Sequence, residues 1–176
     1  ETTLDEYREV AEGFAADGVA RAAAESSSGL SALGSGWSDD MFLGTIAAIT
    51  SGNETGISSA VRLIKNYANR LQRRDGLFRH SLEAETAWGR GNGFAALGLA
   101  ETLTTLGTEH PDFLELLGFY VRQISAMKAL QASDGMWRQV VDVPGSYKET
   151  TVTAMILTAM ARGIRLGWID DSYLST

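Results

Sequence analysis

Apolar and polar residues recur with a helical period over most of this chain. Between residues 111 and 131 the apolar positions are spaced by four and three, which places them on one face of a helix. They are Phe113, Leu117, Tyr120, Ile124 and Met127. Residues 55–73 show the same pattern, and further helices are predicted at 4–24, 40–51, 94–106 and 149–166. Only MWRQVV, at 136–141, alternates as a short strand would. The pattern predicts an all-α chain, with Pro111 at the first position of its helix.

A repeat relates two parts of the chain at an offset of 59 residues. LQRRDGLFRH at 71–80 matches LQASDGMWRQ at 130–139, and FAALGLAETL at 94–103 has the same offset from TAMILTAMAR at 153–162. GWSDDMFLGTIAAIT, at 36–50, resembles an earlier partial copy. Each copy leads from a loop into an apolar helix, and the helix before each full copy has a polar face.

Repeated helix pairs of this kind stack so that neighbouring pairs bury each other's apolar faces. We therefore expect a two-layer toroid with the apolar helices in the inner ring. Six units of this length would need roughly 350 residues, so 176 residues predict about half of the barrel.

Composition narrows the classes of function. A hydrophobic content of 44% in 176 residues predicts one compact domain over residues 1–176. The net charge of −7 and the lack of any basic run argue against nucleic acid as a partner. There is no cysteine, and His80 and His110 lie far apart, so we expect no metal and no cofactor. No apolar run is long enough to predict a membrane span.

The stretch TAWGRGNGF, at 86–94, carries three glycines at every second position. Glycine costs roughly 1 kcal/mol relative to alanine inside a helix, so such a run indicates close approach of another group to the backbone. In a toroid this stretch would lie at the N-terminal end of an inner helix, where the helix dipole favours an anion. We expect the glycines to bring backbone and side chains against an acidic ligand.

Three motifs in order, DGLFRHS, AWGRGNGF and DGMWRQVVDVPGSYKET, resemble those of the unsaturated glycuronyl hydrolases of glycoside hydrolase family 105 and the related family 88. GWSDDMFLG resembles the segment of those families in which an aspartate follows a tryptophan by two residues. The resemblance covers residues 36–170. It implies a six-hairpin (α/α)6 barrel, of which this chain would form the middle.

The resemblance also implies an activity. These enzymes remove a 4,5-unsaturated uronic acid from oligosaccharides left by polysaccharide lyases, such as those of pectin. A carboxyl group protonates the vinyl ether, water adds at C5, and the hemiketal collapses. The implied partner is an unsaturated oligosaccharide, and the implied compartment is the cytoplasm or the periplasm.

Two acidic residues are candidates for the catalytic carboxyls. Asp39 matches an active-site aspartate of the family, with Asp40 beside it as a candidate for substrate binding; either could instead cap the helix that starts near residue 41. Glu83 falls where relatives often carry the aspartate that is their main acid, three residues after His80, although a shift by one residue would put Ala84 there. His80 is a candidate substrate-binding residue, with a structural hydrogen bond as the alternative.

The remaining candidates are substrate-binding residues on two equivalent loops. They are Trp88, Arg90, Asn92, Trp137, Arg138, Tyr147 and Lys148. A tryptophan face can stack on a sugar, and arginine can pair with a uronate carboxylate. Four of them have a structural alternative: Trp88 could lie in the core, Arg90 could brace a loop, Asn92 could tie the loop together, and Trp137 could anchor a loop. Asp75 and Asp134, each before a glycine, are most simply turn residues, and Glu149 a carboxylate favoured by a helix N-terminus.

Two other functions stay open from the sequence. The chain could be a carbohydrate-binding protein without catalysis, or a helical scaffold in which the loops only brace the repeat. An open array of helices also leaves apolar faces uncovered, so we expect copies of the chain to associate through them.

Overall fold

The computed structural model describes residues 3–23, 30 and 35–175, and it is helical over most of them. The helices are α1 (Thr3–Ala23), α2 (Asp40–Ile49), α3 (Glu54–Leu71), α4 (Gly89–Leu106), α5 (Phe113–Ala129) and α6 (Thr150–Arg165). Two-residue strands β1 (Trp137–Arg138) and β2 (Lys148–Glu149) pair antiparallel, and a 3-10 helix covers Asp171–Ser175. The predicted all-α class is confirmed.

Helix α4 lies in the middle, packed between α2 and α6, and these three helices form an inner layer. Helices α3 and α5 contact α4 from outside, and α1 packs against α2 and α3. Helix α4 lies very close to α2 at Gly98, where a Cβ atom would collide with the backbone oxygen of Met41 on α2. The core lies between the two layers, because the apolar face of α3, including Val61, Ile64 and Ala68, points inward. This is the arc of an α/α toroid.

Two predicted boundaries are wrong. Helix α4 begins at Gly89 rather than at residue 94, so the glycine run belongs to its first turns. Helix α5 begins at Phe113 with Asp112 as its N-cap, so Pro111 lies in the preceding turn and not at the first helical position. The predicted strand at 136–141 shrinks to Trp137–Arg138.

The 59-residue repeat is visible in the hydrogen bonds of its two turns. Gln72 Nε2 donates to the oxygen of Gly76 at 3.1 Å, and Gln131 Nε2 donates to that of Gly135 at 2.8 Å. In the same way, Asp75 and Asp134 each accept from the backbone N–H two residues later. Each turn leads the chain from an outer helix back towards the start of the next inner helix.

Candidate active site

Three N-cap residues of the inner helices have side chains that do no capping. Asp39 precedes α2, Trp88 precedes α4 and Glu149 precedes α6, and none of these side chains makes a cap hydrogen bond. Among the outer helices, α3 is capped by Asn53, whose side chain accepts from the N–H of Gly56, whereas Asp112 at the start of α5 makes no such bond. The inner N-termini therefore leave an acid, an aromatic ring and a second acid available for other contacts.

Asp39 lies beside His80. The distance from Asp39 Oδ2 to His80 Nδ1 is 3.6 Å, too long for a hydrogen bond, and both atoms are buried without a partner among the described residues. The backbone holds the two residues together, since the N–H of Ser38 donates to the oxygen of His80 at 2.8 Å.

Burial raises the pKa of the Asp39 carboxyl above its ordinary value, and the neighbouring Asp40 acts in the same direction. His80 and Arg90 oppose this effect but do not cancel it. A carboxyl that holds its proton to a higher pH is suited to donate that proton.

Aromatic rings surround this pair. The rings of Trp37 and His80 are 5.0 Å apart at an interplanar angle of 35°, and those of His80 and Trp88 are 5.0 Å apart at 78°. Trp37 is 49% exposed, so part of its ring is available to a ligand. Aromatic faces of this kind suit the apolar face of a sugar ring.

Arg90 completes the cluster from the first turn of α4. Its Cζ atom lies 4.2 Å from the centre of the Trp88 ring, a cation–π contact. Its Nη1 forms an ion pair with Oε1 of Glu149 at the start of α6. The site thus joins His80, from the loop between α3 and α4, to residues at or just before the starts of the inner helices, which are Trp37, Asp39, Trp88, Arg90 and Glu149.

The three glycines of the first turns of α4 meet protein atoms. A Cβ on Gly89 would lie 2.6 Å from the backbone oxygen of Arg138, and one on Gly93 would lie 2.5 Å from the sulfur of Met155. A Cβ on Gly91 would collide with the hydroxyl of Ser38 and lie 3.4 Å from Nδ1 of His80. The close approach predicted for a ligand is taken by neighbouring loops and helices, which the glycines allow to pack around the site.

Asp40 and Asn92 use their polar atoms within the protein. Asp40 is 3% exposed and accepts from the hydroxyl of Tyr67 at 2.5 Å and from that of Ser35 at 2.7 Å. Asn92 is fully buried; its oxygen accepts from the N–H of Phe78 at 2.8 Å, and its amide nitrogen donates to the oxygens of Phe78 and Trp88. Asn92 thus ties the preceding loop to α4, the alternative that the sequence left open.

The four candidates of the second loop lie on and beside the small hairpin. Trp137 is fully buried, and its Nε1 donates to the oxygen of Met127 at 2.7 Å. Arg138 donates to the oxygen of Pro144, and Lys148 pairs with Asp134 at 2.5 Å. Tyr147 is 60% exposed. The contact of Arg138 lies within the hairpin, whereas those of Trp137 and Lys148 tie the hairpin to α5 and to the turn before β1.

Glu83 lies in the loop between α3 and α4, and its described contacts are within that loop. It is exposed, its Oε2 accepts from the hydroxyl of Ser81 at 3.0 Å, and its N–H donates to the same hydroxyl at 3.2 Å. No contact of the described residues joins its carboxylate to Asp39 or Arg90.

Sequence reasoning missed two residues of the cluster. In the sequence, Trp37 is only part of a motif, and Glu149 is most simply a carboxylate favoured by a helix N-terminus. The repeat held a signal for Glu149, because it is 59 residues from Arg90 and so occupies the equivalent position of the next copy.

Within the described ranges, no three histidine or carboxylate side chains come together as a metal site. None of the helices in those ranges has the length and hydrophobicity needed to cross a bilayer.

Comparison with known families gives a match over most of the chain. The model of the family described as Glycosyl Hydrolase Family 88 matches residues 32–176. Among curated proteins, unsaturated rhamnogalacturonyl hydrolase YesR of Bacillus subtilis is 40% identical over 73 residues, which is 42% of this chain and 21% of that protein.

Solved structures give the same fold. A family 105 glycoside hydrolase of C. acetobutylicum ATCC 824 matches with a TM-score of 0.75 and 21% identity, over 86% of this chain and 50% of that one. A family 88 glycosyl hydrolase of Bacteroides vulgatus matches with a TM-score of 0.72 and 18% identity, over 80% of this chain and 46% of that one. The matched part of this chain thus spans half or less of the length of these relatives.

Proposed function

The chain belongs to Glycosyl Hydrolase Family 88, and from this premise we propose that it removes a 4,5-unsaturated uronic acid from oligosaccharides left by polysaccharide lyases. The relative from Bacillus subtilis is named for action on unsaturated rhamnogalacturonyl substrates, which makes a pectin-derived fragment the first substrate to test. The family match supports the class of reaction, and the cluster around Asp39 supports a site for it within this chain.

The observation that carries the proposal is the state of Asp39. Its carboxyl makes no capping bond at α2, it lies among aromatic rings, and burial raises its pKa. In the proposed reaction a protonated carboxyl gives its proton to C4 of the C4=C5 double bond. Water then adds at C5, its proton is taken up by the carboxylate, and the resulting hemiketal opens to release the remaining sugar. General acid–base catalysis of this kind contributes on the order of 10²–10⁴ in rate.

The substrate would be held by side chains around that carboxyl. Trp37 and Trp88 offer ring faces to the sugar, and Arg90 offers its remaining N–H groups to the uronate carboxylate. Arg90 is 35% exposed in its side chain, so a ligand can reach it. Because the polar atoms of Asp40 and Asn92 are engaged within the protein, we assign these two a supporting role.

We assign auxiliary roles to the residues of the second loop and to Glu83. Lys148 of β2 and Tyr147 just before it are exposed on the hairpin that carries Glu149, and we assign them contacts with the sugars beyond the first. Trp137 and Arg138 would hold that hairpin in place. Glu83 stays the second candidate carboxyl, on the strength of its position in the motif.

The test follows the loss of ultraviolet absorbance when a lyase-generated unsaturated disaccharide is hydrated. We expect Asp39→Asn to lower turnover by about 10²-fold or more, because an amide cannot donate a carboxyl proton. Glu83→Gln run in parallel decides whether the second carboxyl takes part. Glu54→Gln, an exposed carboxylate in the first turn of α3, serves as the matched control and should leave turnover unchanged. Full turnover by Asp39→Asn would refute the assignment of the acid.

A second function is binding without turnover, which is favoured by the contact of the Glu83 carboxylate with Ser81 rather than with the cluster around Asp39. Calorimetry with the same disaccharide separates the two. Heat of binding without loss of absorbance would favour a carbohydrate-binding protein, and the absence of both would leave a scaffold.

We also propose that copies of the chain associate through α1. Tyr7, Val10 and Phe14 are 68%, 56% and 72% exposed at helical spacing on that helix. Exposed apolar surface of this kind is commonly covered by a partner. Sedimentation at low micromolar concentration that gives only a monomer would contradict this.

A further inference from the structure

Glu149 has no role in the mechanism proposed above, yet it is the most buried charged partner in the cluster. Its side chain is 11% exposed, against 35% for that of Arg90, with which it pairs. Its other carboxylate oxygen, Oε2, is buried without a partner among the described residues. Burying a carboxylate is costly unless it is paired, so the ion pair with Arg90 offsets the cost of burying Glu149 there.

The position of Glu149 is fixed by the backbone rather than by its own side chain. As the second residue of β2 it pairs with Trp137, and its backbone oxygen accepts from the hydroxyl of Thr153 at 2.8 Å. Trp137 is itself anchored in the core. A carboxylate on such a support can set the position of a more mobile arginine.

Arg90 is thereby held between two groups. Glu149 fixes one end of its guanidinium, and the ring of Trp88 lies 4.2 Å below its Cζ atom. Arginine has many rotamers, and an ion pair to a fixed carboxylate removes most of that freedom before a ligand arrives.

We propose that Glu149 is a positioning residue that acts through Arg90: it holds the guanidinium over Trp88 and balances its charge beside Asp39. The inference rests on the proposed function only in giving Asp39 the role of acid. The effect of Glu149 on the position and charge of Arg90 is a property of the protein without ligand.

The charge balance has a consequence for Asp39. Burial and the neighbouring Asp40 carboxyl favour the protonated form of Asp39, while His80, a backbone hydrogen bond and Arg90 favour its ionised form. An Arg90 without Glu149 would carry an unbalanced positive charge and would stabilise the Asp39 carboxylate further. Since the acid must be protonated to act, Glu149 extends the pH range in which Asp39 holds its proton.

A matched control exists on the same two helices. Glu101 of α4 pairs with Arg162 of α6 at 2.6 Å, so a second Arg–Glu pair joins α4 and α6 away from their N-terminal ends. Glu101→Gln removes an ion pair between the same helices without touching the cluster.

The experiment is an NMR titration of the isotope-labelled chain, with two signals observed in each variant. The aspartate side-chain carboxyl carbons report protonation, and Asp39→Asn assigns the signal of Asp39. The side-chain protons of Arg90 report its place over the Trp88 ring through the ring-current shift. We expect Glu149→Gln to move the midpoint of Asp39 to lower pH and to reduce the ring-current shift of Arg90. Glu101→Gln should change neither signal.

A double variant guards against loss of folding. Arg90→Gln with Glu149→Gln removes both charges and leaves no unpaired buried ion, so it is expected to fold. In Arg90→Gln alone, the unbalanced carboxylate of Glu149 should move the midpoint of Asp39 to higher pH than in the double variant. Equal midpoints in those two variants, or identical titrations for wild type and Glu149→Gln, would overturn the proposal. A chain that shows these shifts but no turnover would refute the proposed function and support this role for Glu149.

Discussion

The two copies of the repeat are alike in their turns and different at the helix starts that follow. Gly76 and Gly135 both adopt a positive φ, +93° and +84°, after turns with matching hydrogen bonds. At the next inner helix, however, the equivalent positions carry Arg90 in one copy and Glu149 in the other. The turn has the same structure in both copies and leads into the inner layer of helices. The start of the inner helix differs between the copies, and its residues lie in the candidate site.

The same comparison explains why α4 contains four glycines and α6 only one. Gly98 packs against the backbone of α2, whereas Leu157, at the equivalent position of α6, is 39% exposed. Asn92 is fully buried, whereas Thr151 is exposed. Helix α4 has an inner neighbour on each side, so its sequence is constrained on more of its surface.

The largest expected difference between the copies is at the helix contact. Gly98→Ala should lower the free energy of unfolding by about 3 kcal/mol, because the added Cβ collides with the backbone oxygen of Met41 and α2 must move. Leu157→Ala should cost less than about 1 kcal/mol, because that side chain is partly exposed. Urea unfolding monitored by circular dichroism measures both. Equal costs would mean that α2 and α4 are not in close contact.

Much of the fold could be predicted from the sequence, because the amphipathic faces are strong. The stripe that predicted a helix at 55–73 matches Glu54–Leu71 within two residues at each end. The start of α4 could not be predicted in this way. Glycine disfavours helices, and only the packing of Gly89 against Arg138 and of Gly93 against Met155 explains why three glycines lie in its first turns.

The candidate site was predicted less completely, for two physical reasons. Asp39 and Asp40 are adjacent in sequence, and a residue 27 positions from Asp40 gives them different roles. The hydroxyl of Tyr67 donates to Asp40, whereas Asp39 lies in the cluster. The role of Glu149 depends on its ion pair with Arg90, and that contact joins the starts of two different helices, α4 and α6. Motifs give residue types at a position, but contacts between distant residues decide which of them share a site.

A smaller difference in the free energy of unfolding is expected between substitutions of the buried Asn92 and of Thr151, its equivalent in the other copy. Asn92→Ala should cost about 2 kcal/mol, because it leaves the N–H of Phe78 buried without its acceptor. Thr151→Ala, at the equivalent exposed position, should change the free energy of unfolding by less than about 0.5 kcal/mol. Urea unfolding again measures both. Hydrogen exchange at Phe78 gives an independent readout, and protection retained in Asn92→Ala would show that this bond does not hold the loop.

The smallest expected difference is between the two turns, where the copies are most alike. Gly135→Ala should cost about 1 kcal/mol, since a residue with a Cβ is strained at positive φ. Gly76→Ala should cost about 1 kcal/mol more, because its Cβ would also lie 2.5 Å from the backbone oxygen of Arg122 on α5. Thermal unfolding of the two single variants and the double variant measures this difference, with Gly107→Ala as a control for strain at positive φ in open space. If Gly76→Ala and Gly135→Ala cost the same, the first turn is not pressed against α5, and the two copies differ only where the inner helices begin.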